Sequence, residues 1–596
     1  MTTHYTAPLA DVRFALYDLL GVEQLFAKLP GCETLNRELV DAVLEEAARF
    51  SQNVLAPLNQ TGDQQGCTFD KSDASVTTPE GFTQAYRQFV EGGWAGLTAP
   101  EAFGGQGLPE TIGAPVKEFI DSANLAWGTY PLLSHGAIEA LRIGEDWQRE
   151  AFLKPIAEGR WTGTMCLTEA HCGSDLGLLK TRAEPDTDGA YSITGTKIFI
   201  TGGEHDFTDN IVHLVLARLP DAPAGVKGIS LFIVPKFKVD REGRVGERNA
   251  VRCGAIEHKM GLKGSATCVL NFDGAQGWLI GEPHRGLNAM FVMMNSARLA
   301  VGLQGLALSE RAYQNALSYA RERLQMRALS GAKFPDKPAD PLIVHGDVRR
   351  MLLTQKALIE GGRALGLYAA TLVDIQHRAT DAEERRRAES LVSLLTPIVK
   401  ALLTENAIEC TQLALQIYGG HGYIAEHGME QYVRDARITT IYEGTTQIQA
   451  LDLLGRKVMQ QQGAGLKLFL EEIAAFCTQR ADDEALKEFI VPLASVTKEW
   501  ADLTQVIGKQ AASDPDEIGA AAVDYLFYAG YVALAYFWAR SVAAAEASSQ
   551  STDFKRAKLL TARFYFARIL PRTCAHRMAI EAGAESLLAM PDGLFG

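Results

Sequence analysis

The sequence predicts a mainly α protein with an inserted β domain. Three observations lead there. Apolar residues recur at helical spacing before residue 160 and again beyond residue 286, as in "EEAARF" and "MLLTQKALIEGGRALGLYAATLVDIQHR". Between about Trp161 and Phe272 the texture turns to short β-branched runs, "YSITGTKIFITGG", "IVHLVLARL", "GISLFIVPKF" and "ATCVLNFDGA", separated by Gly, Pro, Asp and Asn. A last amphipathic segment, "RRRAESLVSLLTPIVKALLTENAIECTQLALQIYGG", ends in glycine as helices tend to.

In order, residues 1–160 are expected to form an N-terminal helical domain with an extension. Helical spacing runs from Leu35 to Leu58 and from Gly81 to Phe89. The stretch "EGGWAGLTAPEAFGGQGLP" then forces turns with six glycines and two prolines, before "PVKEFIDSANLAW" and "SHGAIEALRI" resume. Residues 161–280 are the β domain, its runs expected as antiparallel strands with tight turns. Residues 281–462 read as a bundle of long helices, interrupted by the polar, Pro-rich loop "SGAKFPDKPADPLIVHG". Residues 463–596 add a further helical domain through "LKLFLEEIAAF", "LKEFIVPLASVTKEWADL" and an Ala-rich tail.

At 596 residues the chain exceeds one core, and its 47% hydrophobic and 22% charged content is that of a soluble globular protein. Fifty-eight basic against 72 acidic residues, net -14, argue against a nucleic-acid or anionic-membrane binder. Nine scattered cysteines give neither a disulfide framework nor a zinc spacing. The group Cys166, His171 and Cys172 lacks further ligands, so no metal is expected. "MTTHYTAPLADVRF" carries Asp11 and Arg13 where an export signal needs an apolar core, which points to a reducing, cytoplasmic setting. The apolar run "YLFYAGYVALAYFWA" is 15 residues long, short of a bilayer span, and reads as a buried helix rather than a stable membrane insertion.

No GxGxxG follows a strand and no GxxxxGK[ST] occurs, so a nucleotide would be held some other way. In "MCLTEAHCGSDLG" a strand-like start runs into Thr168, Glu169 and a Gly-Ser-Asp turn. Such a turn can present amides and Ser174 to a phosphate, or be an ordinary polar turn.

Taken together, "GWAGLTAPEAFGGQG", "MCLTEAHCGSD", "KIFITGG", "ARERLQMR" and "QIYGGHGYIAEHGMEQYVRDARITTIYEGTTQIQ" resemble, in one order, motifs of the acyl-CoA dehydrogenase family. The resemblance covers most of Glu91 to Leu454. It implies the fold of that family: an N-terminal α domain, a middle β-barrel or sandwich and a C-terminal four-helix bundle, here with an extra C-terminal helical domain. The length is similar to that of a bacterial subgroup of roughly 600 residues, which includes 3-methylmercaptopropionyl-CoA and fatty acyl-CoA dehydrogenases.

The resemblance further implies FAD-dependent α,β-dehydrogenation of an acyl-CoA to the trans-2-enoyl-CoA. Glu443 is the implied base and flavin N5 the hydride acceptor, with electrons passing to an electron-transferring flavoprotein. Removing hydrogens from a saturated C–C bond is too unfavourable for nicotinamide, whereas a flavin meets the need. Ile441 and Tyr442 before Glu443 suggest an apolar setting that raises its pKa, and Gly444 leaves room for the thioester. In some family members the base sits just before an arginine that matches Arg298; here that place is Ala297, which cannot take a proton. FAD contacts carried over are Met165, Leu167 and Thr168 at the isoalloxazine edge, Ser174 near the pyrophosphate, and Phe199 and Thr201 at the ring. Arg323, Gln325, Gln416, Gly419 and Gly420 map to the adenosine diphosphate portion, partly from a neighbouring subunit, and Thr445 and Gln447 close the same site. Met326 and Arg327 depart from the family's Phe-Gly.

On the substrate side the matches are Ser174, Gly444, Asn295 and Arg298, Asn295 being equally readable as a solvent-facing helix residue. His421 is read as a nucleotide-loop residue, and Arg434 with Asp435 as an ion pair steadying the loop before Glu443. A homodimer or dimer of dimers is implied. Acyl-chain length, a 3-methylmercaptopropionyl-CoA substrate and an oxygen-using acyl-CoA oxidase remain open alternatives.

Overall fold

The computed structural model describes residues 4–596. It contains two compact units: residues 4–45, 110–118 and 301–596 form one, and residues 46–109 and 119–300 the other. The expected architecture holds, with helices before and after a β region and more helices at the C-terminal end.

In the second unit the strands Thr267–Ile280, Tyr191–Thr201, Arg182–Pro185, Asn210–Arg218 and Ile229–Pro235 pair in succession, and the last returns to Thr267–Ile280. The ring closes through the single pair Arg182–Arg218, and Val251–Ile256 and Trp161–Cys166 flank it as the end strands of the sheet. Alternation along Ile229–Pro235 explains its apolar run: Ile229, Leu231 and Ile233 face one core, Phe232 and Val234 the other.

The expectation of antiparallel pairing needs correction at two places. Arg182–Pro185 meets Asn210–Arg218 in parallel at the single pair Arg182–Arg218, and Trp161–Cys166 runs parallel to Asn210–Arg218 along its length. Parallel neighbours need a long crossover, and here the connection contains two further strands, a long-range feature that local turn chemistry does not report. A short hairpin, Thr68–Asp70 with Ser75–Thr77, was also absent from the expected elements because each run is only three residues long.

The helix Leu125–Leu141 begins where the Asn124 side chain accepts the Trp127 N–H. It lies directly on Trp161–Cys166, so closely that a Cβ on Gly163 would come within 2.3 Å of the Ala137 Cβ. That contact fixes the strand leading into residues 165–168.

The first unit is built on the helices Gly346–Arg378 and Ala382–Tyr418, with the part of Gly286–Glu322 that follows Ala300. Gly302 and Gly305 let the latter approach the Val399 and Leu403 backbone, where any Cβ would clash. "YLFYAGYVALAYFWA" lies within the helix Asp516–Ala547, and Tyr525, Leu526, Phe537 and Trp538 are buried in protein. The Trp538 indole N–H donates to the Ala357 carbonyl at 3.0 Å, tying this C-terminal helix to the bundle. By length and composition three helices, Gly286–Glu322, Ala382–Tyr423 and Asp516–Ala547, are long and apolar enough to cross a membrane. Most of each apolar stretch is covered by protein.

A charge cluster sits in the same unit. Arg363, 1% exposed, bonds Glu118 through both Nε and a terminal nitrogen, Glu310 at 2.7 Å, and Asp11. Lys558 joins Asp11 and Glu360, and Lys356 pairs with Glu360. The N-terminal segment, the bundle and the C-terminal helices are thereby fastened at one buried point.

Candidate active site

Glu443 lies on a turn between the helices Met429–Thr439 and Thr446–Leu451. Its φ is +54°, and Gly444 follows at +91°, so two consecutive residues occupy left-handed conformations. For a residue with a Cβ this costs roughly 1–2 kcal/mol. At position 444 the left-handed φ favours glycine, and a Cβ there would also crowd the Gln449 amide nitrogen at 2.6 Å. Side chains hold the turn from three directions. Gln449 Nε2 donates to the Glu443 carbonyl at 3.0 Å, Lys400 Nζ to the Gly444 carbonyl at 2.6 Å, and Thr446 Oγ1 to Glu405 at 2.6 Å. The Tyr442 hydroxyl donates to the buried Gln304 amide oxygen at 2.5 Å. Thr445 caps the following helix by accepting the Ile448 N–H.

The apolar setting expected from Ile441 and Tyr442 is only partly present. Ile441 is exposed, Tyr442 is turned toward Gln304, and Glu443 itself is half-buried. Lys400, Gln449 and Gln304 had no place in the expected site. The available signal was a lysine set among Ile398, Val399, Ala401 and Leu402, all of them buried.

Further along the bundle, Arg323, Gln325, Gln416, Gly419 and Gly420 share one end of it. Tyr319 stacks on Tyr418 at 4.1 Å between ring centroids, placing the C-terminal ends of Gly286–Glu322 and Ala382–Tyr418 side by side. His421 Nδ1 meets the Tyr319 hydroxyl at 2.8 Å. All five residues are exposed, and a Cβ on Gly419 or Gly420 would meet open space.

This group is remote from Glu443 within one chain. Gln416 lies sixteen residues beyond Lys400 on the same helix, about 24 Å at 1.5 Å per residue. The segment Arg323–Gln325 is pinned to the opposite side of its loop by Asp340 and Leu342. Arg327 is used within that loop, donating to the Phe334 and Lys337 carbonyls. The expected exposed loop therefore has a buried centre: Asp340 accepts the N–H groups of Ala328, Lys333 and Phe334, which hold its carboxyl down at about 2 against its burial. Nearer the turn, Arg434 bonds Glu430, and Asp435 accepts from Gln431 at 3.3 Å.

The second unit carries the other expected contacts. Met165 is buried, Leu167, Thr168 and Thr201 are half-buried, and Ser174 is exposed. Phe199, at φ +59° and 60% exposed, stands between the half-buried Ile198 and the buried Ile200. The loop bearing Thr168 is locked to that strand: the Ile198 N–H donates to the Thr168 carbonyl and Lys197 Nζ to the Leu167 carbonyl, both at 2.9 Å. An exposed ring beside two half-exposed threonines on a fixed backbone fits the flat, hydrogen-bonding edge of an isoalloxazine. On the helix Gly286–Glu322, Ala297 is buried and Arg298 reaches toward the exposed Asn295 at 3.5 Å.

Lys197, fully buried, also bonds Glu169 at 2.9 Å, and Glu169 accepts from Thr181 and the Lys180 N–H. Burial works against the Glu169 charge, but Lys197 and these donors outweigh it and hold the carboxyl down at about 2. Glu169, His171 and Cys172 stand within 4.8 Å of one another, yet the carboxylate is already engaged by Lys197. A pKa below the ordinary Glu value means that this stability is present above about pH 4.3 and is lost as pH falls toward 2. Replacing Lys197 by methionine is expected to destabilise the β-containing unit by about 3–5 kcal/mol, measured by urea unfolding. In Glu169→Gln that acid-dependent loss of stability should disappear.

Family models for the acyl-CoA dehydrogenase N-terminal, middle and C-terminal domains match residues 38–160, 164–275 and 284–459, and an acetyl-CoA dehydrogenase C-terminal-like model matches 469–591. The chain is 44% identical to 3-methylmercaptopropionyl-CoA dehydrogenase of Ruegeria pomeroyi over 98% of its length and 99% of the relative's. It is 34% identical to a broad-specificity linear acyl-CoA dehydrogenase of Mycobacterium tuberculosis over the whole of both chains. A Caenorhabditis elegans protein solved with C11-CoA shares the fold at a TM-score of 0.76 and 18% identity, covering 95% of this chain and 92% of the other.

Proposed function

The chain belongs to the acyl-CoA dehydrogenase family of FAD-dependent oxidoreductases, and from that premise we propose that it desaturates an acyl-CoA to its trans-2-enoyl form with Glu443 as the base. The observation that carries the reading is the fastened left-handed turn that presents the Glu443 carboxylate, in a chain with alanine at the other position where a base occurs.

The α proton of a thioester is weakly acidic, so the base must be held in place and the carbonyl oxygen must meet donors as charge builds. In this reading Glu443 takes the α proton, its own backbone N–H donates to the thioester oxygen, and Gly444 leaves the approach clear. Bound FAD supplies the two-electron acceptor for the β hydrogen, which leaves as hydride. Met165, Leu167, Thr168, Phe199 and Thr201 would hold the ring, Ser174 the pyrophosphate side, and Asn295 and Arg298 the CoA arm.

The distance between Gln416–Gly420 and the Glu443 turn supports a homodimer, in which a second copy lends its Arg323, Gln325 and Gln416–Gly420 end to this chain's cofactor. Thr445 and Gln447 stay with the Glu443 site. Electrons leave to an electron-transferring flavoprotein, in the cytoplasm.

The test is turnover of an acyl-CoA panel, including butyryl-CoA, longer linear chains and 3-methylmercaptopropionyl-CoA, without oxygen and with a dye acceptor. Full activity there, with little peroxide released in air, is expected. Stoichiometric peroxide at full rate in air would make the protein an oxidase.

A further inference from the structure

The Glu443–Gly444 turn rests on two donors that come from the protein interior. Lys400, 0% exposed, reaches from the middle of Ala382–Tyr418 to the Gly444 carbonyl, and Gln449, equally buried, reaches back to the Glu443 carbonyl. Burying an amine is costly, and the lysine stem alone packs no better among Ile398, Val399, Ala401 and Leu402 than an alkyl chain would. Charge-assisted bonds offset part of that cost, and one of them goes to the carbonyl of the residue next to the base.

The two carbonyls belong to consecutive peptides in left-handed conformations. Fixing both sets the direction of the Glu443 side chain and of the N–H groups in the turn. Without them the strained Glu443 has a route back to an ordinary conformation by a peptide flip, which swings the carboxylate away.

We propose that Lys400 is a positioning residue for proton abstraction, locking the Glu443–Gly444 turn together with Gln449 from inside the helical bundle. The proposal rests on the reading of Glu443 as the base. Lys400 touches neither the α carbon nor the cofactor in this scheme; it acts through the turn.

The experiment uses full-length FAD-loaded protein with Lys400→Met, which keeps the volume and removes the donor, Gln449→Met, and Glu443→Gln. Two rates are read. One is flavin reduction by a saturated acyl-CoA. The other is solvent-deuterium exchange at the α carbon of a 3-thia-acyl-CoA, whose β position is sulfur and has no hydride to give. Lys400→Met should retain FAD and bind the 3-thia analogue within roughly threefold of wild type, while both rates fall by about 100-fold, the scale of an ångström-sized misplacement. Gln449→Met should fall in the same direction.

Wild-type rates in Lys400→Met, with Glu443→Gln inactive, overturn the positioning role and leave the base intact. Wild-type exchange in Glu443→Gln overturns the base reading itself. Loss of FAD or of fold in both Lys400→Met and Gln449→Met makes the role merely structural and also overturns the proposal.

Discussion

Glu443→Gln is expected to lower the rate of flavin reduction by about 10²–10⁴-fold, the usual contribution of a positioned general base. Glutamine keeps the shape and hydrogen-bonding reach of the side chain but cannot take the proton. The backbone bonds from Gln449 and Lys400 go to main-chain carbonyls, so they survive the change. FAD content and acyl-CoA affinity should therefore stay close to wild type, and the loss should fall on kcat rather than on KM. Absorbance of the oxidised flavin after anaerobic mixing measures all three quantities.

The largest effect on stability is expected from Arg363→Met. Three carboxylates, Glu118, Glu310 and Asp11, converge on this guanidinium, and Glu118 is as buried as the arginine itself. Removing the cation leaves buried charge uncompensated, at a cost of about 3–5 kcal/mol. Chemical denaturation should show the transition of the helical unit at clearly lower urea, or the variant should fail to accumulate in soluble form. Arg563→Met is the matched control: its pairing with Glu488 is exposed on both sides and screened by water, so the change should leave the transition close to that of wild type. Equal effects of the two substitutions would mean that the buried cluster adds nothing beyond a surface pair.

Much of the fold was legible because its signals are local. β-branched runs bounded by turn residues marked Tyr191–Thr201, Asn210–Arg218, Ile229–Pro235 and Thr267–Ile280, and apolar spacing marked the long helices. The parallel pairing of Trp161–Cys166 was not legible, since strand order is decided by partners far away in the chain. Side chains that act at a distance were hidden for the same reason. Lys400 in "LTPIVKALLTEN" reads locally as one polar residue on a helix, and only the packing of that helix shows that it is enclosed. Asp340 lies in a polar loop that reads as exposed, yet it is the loop's buried anchor.

The individual residues of the site divide along the same line. Glu443 was implied by the resemblance of its stretch to the family motif, together with the alanine at 297. The backbone feature that makes its placement chemically useful, two consecutive left-handed residues, was suggested only by Gly444. Phe199, an expected cofactor contact, also lies in that region, as do six other non-glycine residues among those described.

The most direct test of the central claim is rapid anaerobic mixing of the FAD-loaded protein with a saturated acyl-CoA from the panel. The account predicts that the oxidised-flavin absorbance bleaches in step with formation of the trans-2-enoyl-CoA, and that Glu443→Gln binds the same thioester without bleaching. Bleaching of Glu443→Gln at the wild-type rate, or a wild-type flavin that no acyl-CoA reduces, would contradict it.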